Sequence, residues 1–132
     1  MELILHGWID RDTDDNIRIN EGNCLDSLSE RIMNHFDYEC LDDDDLGGRR
    51  AVIQNVNLRM WFSDRECTLE EAQMNFECFI ETGELLTEGY FIGYSEWTIS
   101  GFVVDKLLIG GHDLDMELND HIGQYAHLIL SD

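Results

Sequence analysis

Apolar residues recur along the first third of the chain in patterns that predict two strands and a helix. Residues 2–9 suit a strand, and residues 16–20 alternate isoleucines with polar neighbours, so the two segments should pair as a hairpin through an Asp-rich turn. Asn23 is a suitable N-cap for a helix that should end near Asp37. That helix is predicted from four apolar residues at spacings of three and four, namely Leu25, Leu28, Ile32 and Phe36.

The middle of the chain predicts an exposed loop, a strand and a capped helix. Residues 41–50 combine four consecutive acids with two glycines and two arginines, which is typical of a loop, and residues 52–62 alternate as a half-buried strand does. Thr68 and Glu71 form a capping box, in which the Thr hydroxyl accepts from the amide three residues later. The helix should stop at Gly83 after presenting one apolar face, formed by Leu69, Ala72, Phe76, Phe79 and Ile80.

The last third of the chain predicts more strands and a short third helix. Residues 88–94 and 97–109 are rich in β-branched and aromatic residues, as strands are. Asp113 should cap a helix that stops at Gly123, and residues 125–130 should close the chain as a strand.

The resulting order is β-β-α-β-α-β-β-α-β, without the strict alternation of a parallel doubly wound sheet. We therefore expect a single α+β domain over residues 1–132. Its sheet should be mainly antiparallel, with two to three helices packed on one face.

The composition adds a strong charge imbalance. Asp and Glu number 29 against eight Lys and Arg, for a formal net charge of −21, while 43% of the 132 residues are hydrophobic. That apolar content excludes a wholly disordered acidic tail, and no apolar run approaches the ~20 residues of a membrane span. Because Lys and Arg supply most of the affinity for phosphates, direct binding to nucleic acid or to an anionic membrane is not expected. The predicted partner is a basic protein.

The density of this charge matters as much as its sign. A folded chain of this size exposes roughly 7,000 Å², or on the order of 340 Å² for each net negative charge. Duplex DNA exposes about 100 Å² per charge. The acids would therefore match a duplex if they were concentrated on about a third of the surface, and would not match it if they were spread evenly.

The cysteine spacing indicates neither a metal knuckle nor a redox pair. No CxxC motif occurs among the four cysteines, which are Cys24, Cys40, Cys67 and Cys78. The first residues lack the basic and apolar regions of a signal peptide. We expect free thiols in a reducing cytoplasm, which is the host cytoplasm if the chain is encoded by a phage, and no cofactor.

One segment has the spacing of a calcium loop. Asp10, Asp12, Asp14 and Glu21 fall at positions 1, 3, 5 and 12 of an EF-hand pattern, but Asp15 stands where that motif has glycine. The alternative is a solvated hairpin turn whose Asp side chains bind their own backbone. A calcium-binding module therefore stays an alternative to the basic-partner hypothesis.

Two acidic runs and the second helix supply the candidate residues for binding a basic partner. An acidic run is commonly a solvated loop, and its functional interpretation is a row of carboxylates in place of phosphates. The candidates are Asp10, Asp12, Asp14, Asp15, Asp42, Asp43, Asp44, Asp45, Glu70 and Glu77.

Catalytic signatures are missing from the sequence. No GxSxG, GxxxxGK[ST] or GxGxxG motif occurs, and the five histidines never have the spacing that sets two ligands on one helix turn. We therefore expect a protein that is not an enzyme.

In size, charge and lack of catalytic motifs the chain resembles the small acidic DNA-mimic proteins of phages and mobile elements, including anti-CRISPR and anti-restriction proteins. The residues that carry this resemblance are the acidic runs at 10–15 and 42–45 and the Glu-rich second helix. It implies an inhibitor that blocks DNA binding or cleavage by a CRISPR effector or a restriction nuclease. Immunity proteins that neutralise basic nuclease toxins rely on the same complementarity between an acidic surface and a basic groove.

Other hypotheses stay open beside this one. The acidity could instead be that of a salt-adapted protein-interaction domain, which fits one lysine against seven arginines. A homodimer is also compatible with the charge, because two acidic faces can span a longer groove.

Overall fold

The described residues form one large antiparallel sheet with three short helices. The computed structural model describes residues 2–13, 15–22, 26–43, 48–91 and 102–132. The elements in chain order are β1 (Glu2–Arg11), β2 (Ile17–Asn20), α1 (Leu28–His35), β3 (Glu39–Asp43), β4 (Gly48–Ser63), α2 (Leu69–Asn75), β5 (Phe79–Phe91), β6 (Phe102–Ile109), β7 (His112–Asp113), α3 (Leu114–Asn119) and β8 (Tyr125–Ser131). Among these residues no helix has the length and apolar character needed to cross a membrane.

The strands lie in the order β2-β1-β8-β4-β5-β6-β7, and β3 pairs with β4 outside this path. Each pairing within the described residues is antiparallel, which confirms the predicted α+β class with a mainly antiparallel sheet. The 16-residue β4 organises the sheet. Because β5 occupies one edge of β4 along most of its length, β3 and β8 pair with the opposite edge at its two ends.

The helices are divided between the two faces of the sheet. Leu58 on β4 and Leu128 on β8 face the main core, which also contains Ile32 of α1 and Leu118 of α3. A second cluster on the other face is formed by Trp61, Ala72 and Ile129. Because neighbouring strand residues point to opposite faces, α2 packs on the side away from α1 and α3. Helices α1 and α3 therefore contribute to the main core, and α2 contributes to the second cluster.

The first hairpin confirms the sequence prediction, and the first helix begins later than predicted. β1 and β2 pair from Trp8↔Asn20 to Arg11↔Ile17 across the Asp-rich turn. Helix α1 has Ser27 as its N-cap, whose hydroxyl accepts from the Glu30 amide at 3.3 Å. The predicted cap, Asn23, lies outside the described residues.

The prediction of a loop over residues 41–50 is wrong for most of its length. Residues 39–43 form β3 and residues 48–50 begin β4, with Asp42 paired to Arg49 and Asp43 to Gly48. Polar composition favours a loop locally, but β4 continues to bond with β5 as far as Gly48, so the chain stays extended. The strand predicted at 52–62 is confirmed and is longer than predicted.

The second helix starts at the predicted residue but ends before the predicted stop at Gly83. The Thr68 hydroxyl accepts from the Glu71 amide at 3.1 Å, which confirms the cap. The helix ends at Asn75, and Phe79 already pairs with Met60 of β4 as the first residue of β5. Gly83 therefore lies inside a strand, where it faces a β-bulge of β4, and does not stop a helix.

The third helix begins at the predicted cap but ends at Asn119, before the predicted stop at Gly123, because residues 120–123 form a turn. The last strand is confirmed. Asp113 is the N-cap of α3, and its carboxylate accepts from the amides of Asp115 and Met116 at 3.0 and 3.3 Å. The chain then turns through Gly123 into β8. The strands predicted at 88–94 and 97–109 overlap β5 and β6, and residues 92–101 lie outside the described part of the chain.

Candidate functional site

Antiparallel pairing brings three acidic segments to one end of the sheet. The end of β1, the start of β2 and the start of β8 are neighbours, since Arg11 pairs with Ile17 and Trp8 with Tyr125. The end of β4 joins them, because Ser63 also pairs with Tyr125. The β1–β2 turn, the segment before β8 and the loop after β4 therefore leave the sheet at the same end.

Backbone and side-chain hydrogen bonds hold these segments together. The Gly123 amide donates to the Ile9 carbonyl at 3.0 Å, and the Ile9 amide donates to the Gln124 carbonyl at 2.9 Å. The side chain of Gln124 donates to Asp64 at 2.8 Å. The turn after α3 is thus bonded to β1 on one side and to the loop after β4 on the other.

We call the described residues of 10–18, 63–66 and 113–124 the acidic end. Three arginines lie within it, Arg11, Arg18 and Arg65. Nine carboxylates lie within it, those of Asp10, Asp12, Asp15, Asp64, Glu66, Asp113, Asp115, Glu117 and Asp120. The carboxylates thus outnumber the arginines threefold.

Two of the three arginines are held by carboxylates of the acidic end itself. Arg11 donates to both oxygens of Asp115, at 2.9 and 3.3 Å, and to the Asp15 carbonyl at 2.8 Å. Its hydrogen bond to Asp115 raises the pKa of Arg11. Arg18 donates to both oxygens of Asp10 at 2.8 and 2.9 Å, and this bond lowers the pKa of Asp10. These arginines fix the geometry of the acidic end and leave the excess negative charge in place.

A groove of about 530 Å³ opens beside α3. Its walls include Arg11, Met116 and the carboxylates of Asp115 and Glu117. The volume is in the range of small-molecule and side-chain binding sites. The sign of its lining charge favours a cationic group as the occupant.

The structure separates the acidic residues predicted from the sequence. Asp10, Asp12 and Asp15 lie at the acidic end, whereas Asp14 lies outside the described residues. Backbone pairing places Asp42 opposite Arg49, about fourteen residues along β4 from Ser63. The two acidic runs, as far as they are described, are therefore not brought together.

The other predicted positions lie away from the acidic end or outside the described residues. Asp43 belongs to β3 with Asp42, and Asp44 and Asp45 lie outside the described residues. Glu70 lies on α2 and Glu77 in the link from α2 to β5, and both are exposed.

Sequence reasoning missed the acids of α3. Their signal is the segment DLDMELND at 113–120, in which half of the residues are acidic. Its apolar spacing predicts a core helix, and the pattern contains no information that the exposed side of this helix meets the β1–β2 turn.

The two end positions of the calcium pattern at residues 10–21 are already engaged by other side chains. Asp10 is bound by Arg18 and also accepts from Asn20 at 3.1 Å. Glu21 accepts from Arg31 at 3.1 Å and from His6 at 3.0 Å. Across the described ranges no group of three His, Cys, Asp or Glu side chains is placed to hold a metal ion. The strand register, which sets Asp10 opposite Arg18, is the physical reason.

Cys67 and His127 form a close pair on the face of the sheet covered by α2. The two cysteines whose side chains are described, Cys67 and Cys78, are free thiols. The His127 Nε2 atom lies 2.8 Å from the Cys67 carbonyl oxygen and 3.7 Å from its sulfur. Because a carbonyl oxygen only accepts, the Nε2–H of His127 donates to it, and Nε2 is not free to take a proton from the thiol. Burial lowers the pKa of His127. The pair holds the loop after β4 against β8 and lacks the arrangement of an activated nucleophile.

No protein-family model, curated protein or solved structure matches this chain. What the protein does is therefore inferred from its own residues. The acidic end is the feature with the clearest bearing on it.

Proposed function

We propose that the protein is a non-enzymatic inhibitor that binds the basic nucleic-acid-binding surface of a nuclease, such as a CRISPR effector or a restriction nuclease. The observation that supports this function is the acidic end, where three segments remote in sequence place nine carboxylates beside three arginines. A surface of this kind offers a basic groove the charge that its nucleic acid would offer.

The size of the acidic end is compatible with this role. Neighbouring strands lie about 4.8 Å apart, so the three steps from β2 to β4 span roughly 14 Å. Duplex DNA carries one charge per ~1.7 Å of axis, or about eight charges over that length. Nine carboxylates less three arginines leave a net charge of −6 at the acidic end, which is of the same order as the charge of the phosphates over that length.

The rigidity of the acidic end also supports the proposal. The Arg11–Asp115 pair and the Gly123–Ile9 bond hold the acidic segments in place before any partner arrives. A preorganised charged surface loses less conformational entropy on binding than mobile acidic loops do. Its association with a basic groove should be fast and sensitive to salt.

A direct test measures cleavage of a target duplex by two probes, a guide-loaded CRISPR effector nuclease and a restriction endonuclease. The wild-type chain should slow at least one of them at low salt, and the inhibition should weaken as salt is raised. The substitutions Asp15→Asn, Glu117→Gln and Asp120→Asn, made together, remove three charges from the acidic end. They should weaken inhibition by about 10-fold or more.

The matched control removes three exposed acids elsewhere, through Glu2→Gln, Asp37→Asn and Glu39→Gln. It changes the net charge equally, so it should weaken inhibition far less. Equal effects of the two triple variants would show that net charge acts without the acidic end. If the wild type slowed neither the CRISPR effector nor the restriction endonuclease, the proposal would be refuted for both classes of nuclease.

The second acidic run is tested separately. Asp42→Asn, Asp43→Asn, Asp44→Asn and Asp45→Asn remove four charges from a run whose described members lie away from the acidic end. We expect a smaller loss of inhibition than the triple variant at the acidic end causes. A larger loss would move the binding surface to the β3–β4 hairpin.

A further inference from the structure

Met116 is an exposed apolar side chain in the lining of the acidic groove. It is 68% exposed, whereas Leu114 and Leu118 on the same helix are buried in the core. A helix turns by about 100° per residue, so Met116 points away from both leucines. It lines the groove together with the carboxylates of Asp115 and Glu117.

This combination differs from a surface that only repeats phosphates. Carboxylates bind Lys and Arg, but the flexible thioether of Met116 beside them adds nothing to those ion pairs. The Met side chain contacts aromatic rings favourably, through its polarizable sulfur. Surfaces that bind single-stranded nucleic acid combine Lys and Arg with exposed aromatic side chains on which bases stack.

We propose that the groove beside α3 receives an aromatic side chain flanked by Lys or Arg residues, with Met116 against the ring. This inference rests on the proposed function and narrows it to partners whose basic surface also presents an aromatic side chain. Met116 occupies the place of a base, and the carboxylates around it occupy the places of phosphates. The charge of the groove is complementary to such a partner, and its volume of about 530 Å³ admits one side chain with its neighbours.

The test uses labelled peptides in which eight lysines surround a central Trp, Leu or Ala, so that all three carry the same charge. Binding is followed by fluorescence anisotropy. The wild type should bind the Trp peptide about 3- to 10-fold more tightly than the Ala peptide. Met116→Gln should abolish this preference while leaving binding of the Ala peptide unchanged.

A second exposed methionine provides the matched control. Met74 on α2 is 80% exposed and lies outside the acidic end, so Met74→Gln should retain the preference for Trp. Both substitutions are on the surface, and circular dichroism is used to check that each variant is folded.

The outcomes separate this inference from the function on which it rests. Equal affinity for the Trp and Ala peptides, or a preference for Trp that survives Met116→Gln, would overturn the inference alone. Equal affinity for Leu and Trp would overturn the assignment of an aromatic occupant. If the triple variant at the acidic end bound the Ala peptide as tightly as the wild type, the acidic end itself would be excluded as the binding surface.

Discussion

The guanidinium of Arg11 contacts both carboxylate oxygens of Asp115, although 104 positions separate the two residues in the chain. Arg11 is the last residue of β1, and Asp115 lies in the first turn of α3. Their pairing joins the β1–β2 hairpin to the third helix. Two acidic segments are thereby held side by side, which makes this contact central to the geometry of the acidic end.

Replacing Arg11 should destabilise the fold. Arg11→Met keeps most of the aliphatic stem but removes the charge-assisted bonds to Asp115 and to the Asp15 carbonyl. We expect the free energy of unfolding to fall by about 1–2 kcal/mol, as measured by urea denaturation.

Arg65→Met is the control for the Arg11 variant. Arg65 is 73% exposed and its contact with Glu71 is 3.8 Å long, so its loss should change stability by less than about 0.5 kcal/mol. Equal losses in the two variants would mean that the Arg11–Asp115 pair contributes no more than a surface contact.

His127 should make stability depend on pH below neutrality. An imidazole in the unfolded chain titrates near 6.5, and burial lowers the pKa of His127 in the folded protein. As pH falls below 6.5, the unfolded state takes up a proton that the folded state does not, so the free energy of unfolding falls until the folded pKa is reached.

The measurement compares urea unfolding at pH 7.5 and 5.5 for the wild type and His127→Gln. The variant should lose less stability between the two pH values. The pKa of Glu30 is raised by burial, which acts in the opposite direction at lower pH, but it affects both proteins equally. Identical losses in the two proteins would contradict the assignment to His127.

Gly7 should be intolerant of a side chain. A Cβ atom at this position would lie 2.7 Å from the Asn20 carbonyl carbon and nearer still to its oxygen, where the β1–β2 pairing begins. Because this obstacle is backbone, Gly7→Ala should cost about 2–3 kcal/mol of stability in urea denaturation.

Gly22→Ala separates this clash from backbone strain. Gly22 has φ of +59° but open space around it, so alanine there should cost only about 1 kcal/mol. A cost at Gly7 no greater than that at Gly22 would show that the strands separate without penalty.

Calcium should not stabilise the protein specifically. Asp10 and Glu21 are already bound by arginines, so two of the four acidic ligand positions of the pattern are engaged before any ion arrives. In thermal unfolding, 1 mM Ca²⁺ should shift the midpoint no more than 1 mM Mg²⁺ does, because both screen the same negative charge. A larger shift with Ca²⁺ that Asp12→Asn removes would restore the calcium hypothesis.

Short-range chemistry made several elements predictable from the sequence. The β1–β2 hairpin, the cap at Thr68 and the cap at Asp113 each depend on residues within a few positions of one another, and the structure has all three. Their hydrogen bonds and apolar spacing are properties of the local chain.

Tertiary pairing decided the elements for which local preference was ambiguous or misleading. Phe79 and Ile80 could extend an apolar helix face or begin a strand, and pairing with β4 made them a strand. Asp42 and Asp43 look like a loop by composition, yet the extended start of β4 keeps them in β3. A strand exists only with its partner, so such segments depend on contacts beyond their own neighbourhood.

The sequence by itself determined the sign and size of the charge, the α+β class and the positions of two helix caps, because each follows from composition or from neighbouring residues. Only the tertiary structure decided where that charge is concentrated. Antiparallel pairing brings the β1–β2 turn, helix α3 and the loop after β4 to one end of the sheet. Electrostatic potential depends on distances through space. In the folded chain, residues more than a hundred positions apart in the sequence are in direct contact.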